Sequence, residues 1–179
     1  MKAKAVIAYC ILLAIVFLTH LFPSSATGYL LPLYMIVAPL VLGRKIKFSV
    51  SIRQIKYAFF TSLVMLVPAY FILSMDRPYH FMGASAMLTQ LVRIALPEEI
   101  FFRGFLQEVF GNNVKGILLV SLLFAGAHIP AFFFYRDGFA LLTFFPSLVM
   151  GFLYMRTASI FPPVMFHFLA NVVFRGFMI

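Results

Sequence analysis

Two adjacent carboxylates, Glu98 and Glu99, lie in the stretch Pro97-Glu98-Glu99-Ile100-Phe101-Phe102-Arg103-Gly104, inside a sequence that is otherwise almost all apolar. The chain has only five acidic residues, and two of them are side by side here. Ionisable groups at membrane depth are costly and by default mark a functional site. Glu99 and Arg103 are i and i+4, so they share a helix face and can pair. Glu98 is turned about 100° away on that helix and has no local partner. An unpaired carboxylate in apolar surroundings is a candidate general base. Three more polar side chains interrupt later apolar runs: His128, then His167 and Asn171, the last two again i and i+4 on one face. The turn signal Gly111-Asn112-Asn113 relates the first two groups. Glu98 precedes Asn113 by 15 residues and His128 follows it by 15. Two antiparallel α-helices joined there would carry Glu98 and His128 at one depth, roughly 20 Å from the turn at 1.5 Å per residue.

The elements that must position these groups are membrane helices. Apolar residues make up 64% of the 179, charged residues 11%, and mean hydropathy is +1.04. A soluble domain is nearer half apolar and a quarter charged. Long continuous apolar segments favour helices over a barrel. The expected fold is all-α: a polytopic transmembrane bundle of about seven spans, with a conical polar active site between the later helices. One domain covers 1–179, with generic spans over 1–80 and a catalytic core over 81–179.

The net charge of +9 is read as topogenic, with an anionic lipid surface as its partner and no nucleic acid. Lys2 and Lys4, then Arg44, Lys45, Lys47, Arg53 and Lys56, place the N-terminus and the loop after the second span on the cytoplasmic side. The basic start and the apolar run to Leu21 also resemble a signal peptide; a retained first span is preferred, because many spans follow. The expected spans are 5–21, 29–42, 57–74, 81–110, 114–129, 139–155 and 160–177, with a loop at 131–138. Pro97 kinks or restarts the fourth. The single cysteine, Cys10, excludes an internal disulfide.

Each polar group also has a plainer role. Glu99–Arg103 fits a structural pair, His128 an interfacial residue before Pro130, and His167 with Asn171 interhelical hydrogen-bond glue. Phe124, one turn before His128, fits packing or orientation of the imidazole. His20 and His80 read as interfacial. Two glutamates, two histidines and an amide on three helices, however, are costly decoration for so small a bundle.

Glu98-Glu99-x-x-x-Arg103, Phe124-x-x-x-His128 and His167-x-x-x-Asn171, in this order on separate spans, resemble the motifs of the CPBP (Abi) intramembrane proteases, which include the type II CAAX prenyl endopeptidases. The resemblance runs from about Leu91 to the C-terminus. It implies an endopeptidase that cuts a membrane-associated protein or peptide, lipidated or hydrophobic-tailed, in a prokaryotic plasma membrane. It implies that Glu98, aided by His128, activates a water, that His167 and Asn171 donate to the oxyanion, and that Glu99, Arg103 and Phe124 support the site. No cofactor is expected: zinc is weighed as the alternative, but the ligands would come from three helices and His-Glu-x-x-His is absent. Two other functions are weighed: a non-enzymatic immunity or scaffold protein of the same family, and a small proton-coupled transporter using Glu98 and His128.

Overall fold

A computed structural model describes residues 1–178, and of Ser25 and Ala26 the backbone only. The described residues form helices and connecting turns, with no strand. Seven rods follow one another: α1 Lys2–Leu21, α2 Ser25–Val41, α3 Ile52–Ser74, α4 spanning 84–110, α5 Val114–Tyr135, α6 Gly138–Thr157 and α7 Phe161–Gly176. Four of them (α1, α3, α5 and α6) are long and apolar enough to cross a membrane.

Local chemistry sets the rod ends. Ser24 and Thr27 form a capping box at the start of α2, so this helix begins earlier than the expected span 29–42. Ser51 caps α3, and Asn113 caps α5 by accepting from the Gly116 amide at 3.1 Å. The loop expected over 131–138 is helical as far as Tyr135. His128 breaks the α-helical register, and Pro130, in the first turn after it, restarts the helix.

The α4–α5 turn is tight. Gly111 takes φ 124, which favours glycine. A Cβ on Gly116 would collide with the Gly111 carbonyl oxygen, a backbone atom that cannot rotate away. Gly116→Ala is therefore expected to destabilise the fold by about 1–3 kcal/mol. Gly138→Ala, where a Cβ meets nothing within 4 Å, should leave the unfolding midpoint in detergent unchanged.

The rods alternate in direction. One end gathers the N-terminus, the 42–51 connection, the α4–α5 turn and the α6–α7 connection. It is tied by Lys47 Nζ–Glu108 Oε1 at 2.9 Å, by the Ile160 amide on the Lys47 carbonyl at 2.9 Å, and by Ser159 Oγ donating to the Ser49 carbonyl at 2.9 Å. The other end joins the His80 amide to the Gly176 carbonyl at 2.7 Å. Lys2, Lys4, Arg44, Lys45, Lys47, Arg53, Lys56, Lys115 and Arg156 fall at the first end, and Arg77, Arg93, Arg136 and Arg175 at the second. The first end carries the charge excess that marks a cytoplasmic face.

The main core runs through Leu12, Phe101, Phe102, Phe105, Leu106, Val120, Phe124, Met150, Leu153 and Phe166, so α4 is the central rod. The outer surface exposes large apolar side chains such as Phe59, Phe60, Val64 and Phe71, as a lipid-facing helix does.

Candidate active site

The central rod is not a uniform α-helix. Gln90–Ala95 and Ile100–Gln107 are π-helical, and the single α-helical turn Leu96–Glu99 between them carries both glutamates. Pro97 supplies a reason for the first π segment. Its ring crowds the carbonyl four residues back, and it has no N–H to give. The wider π register, in which the Leu96 amide bonds to the Leu91 carbonyl, relieves that clash without breaking the rod. Proline thus neither ends nor restarts α4.

Glu99 and Arg103 are both fully buried, with Arg103 Nε 3.2 Å from Glu99 Oε2. The expected pair is present, as an ion pair rather than an aligned hydrogen bond. The other oxygen of Glu99 accepts from His167 Nδ1 at 2.8 Å. A carboxylate only accepts, so Nδ1 carries the proton and His167 Nε2 points onward. It faces Glu98, whose Oε2 lies 3.8 Å away, buried and without a protein hydrogen-bond partner. Glu98 itself remains partly open, at 15% side-chain exposure, unlike Glu99 at 0%.

Four residues foreseen from the sequence therefore form one chain: Arg103, Glu99, His167 and Glu98. His128 enters it through an aromatic contact. Its Nδ1–H donates to the Phe124 carbonyl at 2.8 Å, leaving Nε2 as an acceptor. Its ring lies 4.8 Å from that of Phe124. The same phenyl ring is 5.9 Å from the His167 ring and 5.1 Å from Arg103 Cζ. Phe124 is the wedge on which both imidazoles and the guanidinium pack. His128 is not in ion-pair range of Glu98. The depth count took α-helical rise on both sides of the turn. Residues 100–107 are π-helical, with more residues per turn than that count assumes.

Asn171, one turn after His167, donates from Nδ2 to Gln90 Oε1 at 3.2 Å. Both residues of the α7 pair thus face α4. Gln90 is buried, and so are Ser121 and Ser147 behind the guanidinium. Arg103 Nη2 donates to Ser147 Oγ at 3.1 Å and to the Ser147 carbonyl at 3.3 Å; Ser147 Oγ lies 3.0 Å from Ser121 Oγ. Sequence reading passed over these three. Ser121 and Ser147 are each a lone polar residue in an apolar run, and that was the available signal; Gln90 follows Thr89.

Glu99 has Arg103 on one oxygen and His167 on the other, so a metal there would sit against a guanidinium. Among the described residues, no three His, Cys, Asp or Glu side chains converge as a ligand set.

A carboxylate–imidazole–carboxylate array thus lies inside a bundle of apolar helices. The chain belongs to the family described as Type II CAAX prenyl endopeptidase Rce1-like, whose model matches residues 80–173, just over half of the sequence. Comparisons with curated proteins and with solved structures find no significant match. Family membership indicates a peptidase of the CAAX type, in a membrane and with a protein substrate. The matched span contains Glu98, Glu99, Arg103, Phe124, His128, His167 and Asn171.

Proposed function

We propose that this protein is an intramembrane endopeptidase that hydrolyses a peptide bond of a lipidated or hydrophobic-tailed protein, with a water activated by Glu98 and without a metal. The carrying observation is the arrangement of Glu98 Oε2 and His167 Nε2, 3.8 Å apart, with the far side of the imidazole held by a buried carboxylate. That separation is too long for a direct hydrogen bond and suits one water accepted between the two atoms.

In this reading Glu98 takes a proton from the water as its oxygen bonds to the scissile carbonyl carbon. The carbonyl becomes an oxyanion, which a protonated His167 Nε2 and the second Nδ2 hydrogen of Asn171 stabilise. Glu98 then returns the proton to the amide nitrogen as the carbon–nitrogen bond breaks. Glu99 keeps Nδ1 of His167 protonated, the part a carboxylate plays behind a catalytic histidine. His128, fixed by its bond to the Phe124 carbonyl, presents Nε2 as the acceptor that helps orient the water.

The test is mass spectrometry of the products formed from a prenylated, CAAX-terminated peptide in liposomes. Cleavage at one internal bond, at an undiminished rate after exhaustive chelation, is the expected result. A rate that falls on chelation and returns with zinc would overturn the metal-free mechanism, and an intact peptide would overturn this substrate class.

A further inference from the structure

The guanidinium of Arg103 is sealed in the core, yet its ion pair with Glu99 supplies no aligned hydrogen bond. Nε and Nη1 are buried without hydrogen-bond partners. The aligned bonds that the guanidinium makes go to a single residue of another rod. Nη2 donates to Ser147 Oγ at 3.1 Å and to the Ser147 carbonyl at 3.3 Å, both from α6. Ser147 is fully buried, and its hydroxyl is 3.0 Å from Ser121 Oγ on α5, itself 1% exposed. Ser147 Oγ accepts from Arg103, so its own proton is free to go to Ser121.

We infer that Ser147, oriented by Ser121, is a positioning residue of the peptidase: it fixes the Arg103 guanidinium, and through Glu99 the His167 ring that faces Glu98. The inference rests on the hydrolytic reading above and adds two residues outside the motifs. An ion pair without alignment constrains distance and leaves the guanidinium free to pivot. The phenyl rings of Phe102 and Phe124, at 6.0 and 5.1 Å from Arg103 Cζ, give it a face to rest on and no direction. Direction comes from the hydroxyl. A pivot of Arg103 moves the charge that holds Glu99 Oε2, and Glu99 Oε1 is the acceptor that sets the His167 ring. The linkage thus runs from α5 and α6 across α4 to α7, joining the rods that carry His128 and His167.

A purely packing role predicts something different. Alanine fits the space of serine, so packing alone would leave turnover intact. The experiment measures kcat and KM on the prenylated, CAAX-terminated peptide in liposomes for Ser147→Ala, Ser147→Thr and Ser121→Ala. Ser147→Ala is expected to lose about tenfold in kcat at unchanged KM, the scale of one charge-assisted hydrogen bond expressed in a rate. Ser147→Thr, which keeps the hydroxyl, should restore most of the loss, and Ser121→Ala should give a smaller loss of the same kind. Full kcat in Ser147→Ala, or equal losses in the alanine and threonine variants, would overturn the role.

An activity-free arm uses histidine-labelled protein and nitrogen-15 solid-state NMR, with His167→Gln to assign the resonance. The Nδ1-protonated, carboxylate-bonded signal of His167 should weaken in Ser147→Ala and return in Ser147→Thr; an unchanged signal counts against the inference. A parallel Glu98→Gln control separates the two readings. If that variant cleaves within tenfold of the wild-type rate, the hydrolytic mechanism fails. If it is dead while Ser147→Ala turns over at the wild-type rate, only the positioning role fails.

Discussion

Glu98→Gln is expected to abolish turnover of the peptide while leaving the fold as stable as before. Loss of a general base costs on the order of 10²–10⁴ in rate. The substitution keeps the shape of the side chain and removes its capacity to take a proton. It also leaves no buried cation without a carboxylate, because His167 keeps Glu99. Glu98 is partly open, and its Oε2, 3.8 Å from His167 Nε2, has no protein hydrogen-bond partner. Glu108 provides the comparison, because it is an acid on the same rod. It accepts from Lys47 Nζ and from the Tyr154 hydroxyl, each at 2.9 Å, at the cytoplasmic-type end of the bundle. Glu108→Gln should therefore retain kcat. Rates from single-turnover assays, with thermal unfolding followed in the same detergent, decide the matter. A Glu98→Gln protein that cleaves within tenfold of wild type would remove Glu98 as the base. It would return the family's non-enzymatic reading, or a different base, to first place.

What the sequence made legible was whatever is local. Glu99 with Arg103, and His167 with Asn171, are i and i+4, and the structure puts each pair on one face. The helical class followed from apolar length, and the positive end from the run of cations between Arg44 and Lys56. Two things were not local. The first is the bond from Glu99 to His167, across 68 residues. It gives Glu99 a second task beside neutralising Arg103, which no spacing rule reaches. The second is the π register of α4. Nothing in Ile100-Phe101-Phe102-Arg103-Gly104 announces it, although Pro97 hints at the segment before. The depth count from Asn113 assumes 3.6 residues in every turn, which the π register does not keep. The polar partners Gln90, Ser121 and Ser147 were visible as letters and lacked only a reason to be singled out. A lone serine in a membrane helix is common, because its hydroxyl can bond its own backbone. Ser147 instead turns its hydroxyl outward to a guanidinium.

Arg103→Leu is expected to cost stability on the order of 3–5 kcal/mol, because it strands Glu99 in a site with no exposure. His167 would remain the one aligned partner of that carboxylate. The double substitution Glu99→Leu with Arg103→Leu separates stability from chemistry. Exchanging a whole buried ion pair for apolar side chains of similar size is often neutral or stabilising, so the double variant should recover most of the unfolding free energy. It should nevertheless remain inactive, since His167 Nδ1 then has no acceptor and the ring is free to turn away from Glu98. Equilibrium unfolding in mixed micelles measures the first quantity, and peptide turnover measures the second. Wild-type turnover in the double variant would reduce Glu99 to a counter-ion for Arg103. Stability and activity that fall and recover together would show that the pair acts only through the fold. The expected dissociation, a stable bundle that cannot cut, requires that the carboxylate be there for the imidazole. A helix bundle of this composition has no need of a buried arginine to stay folded. In the proposed mechanism, burying one and meeting it with Glu99 and Ser147 serves to hold the His167 ring toward Glu98.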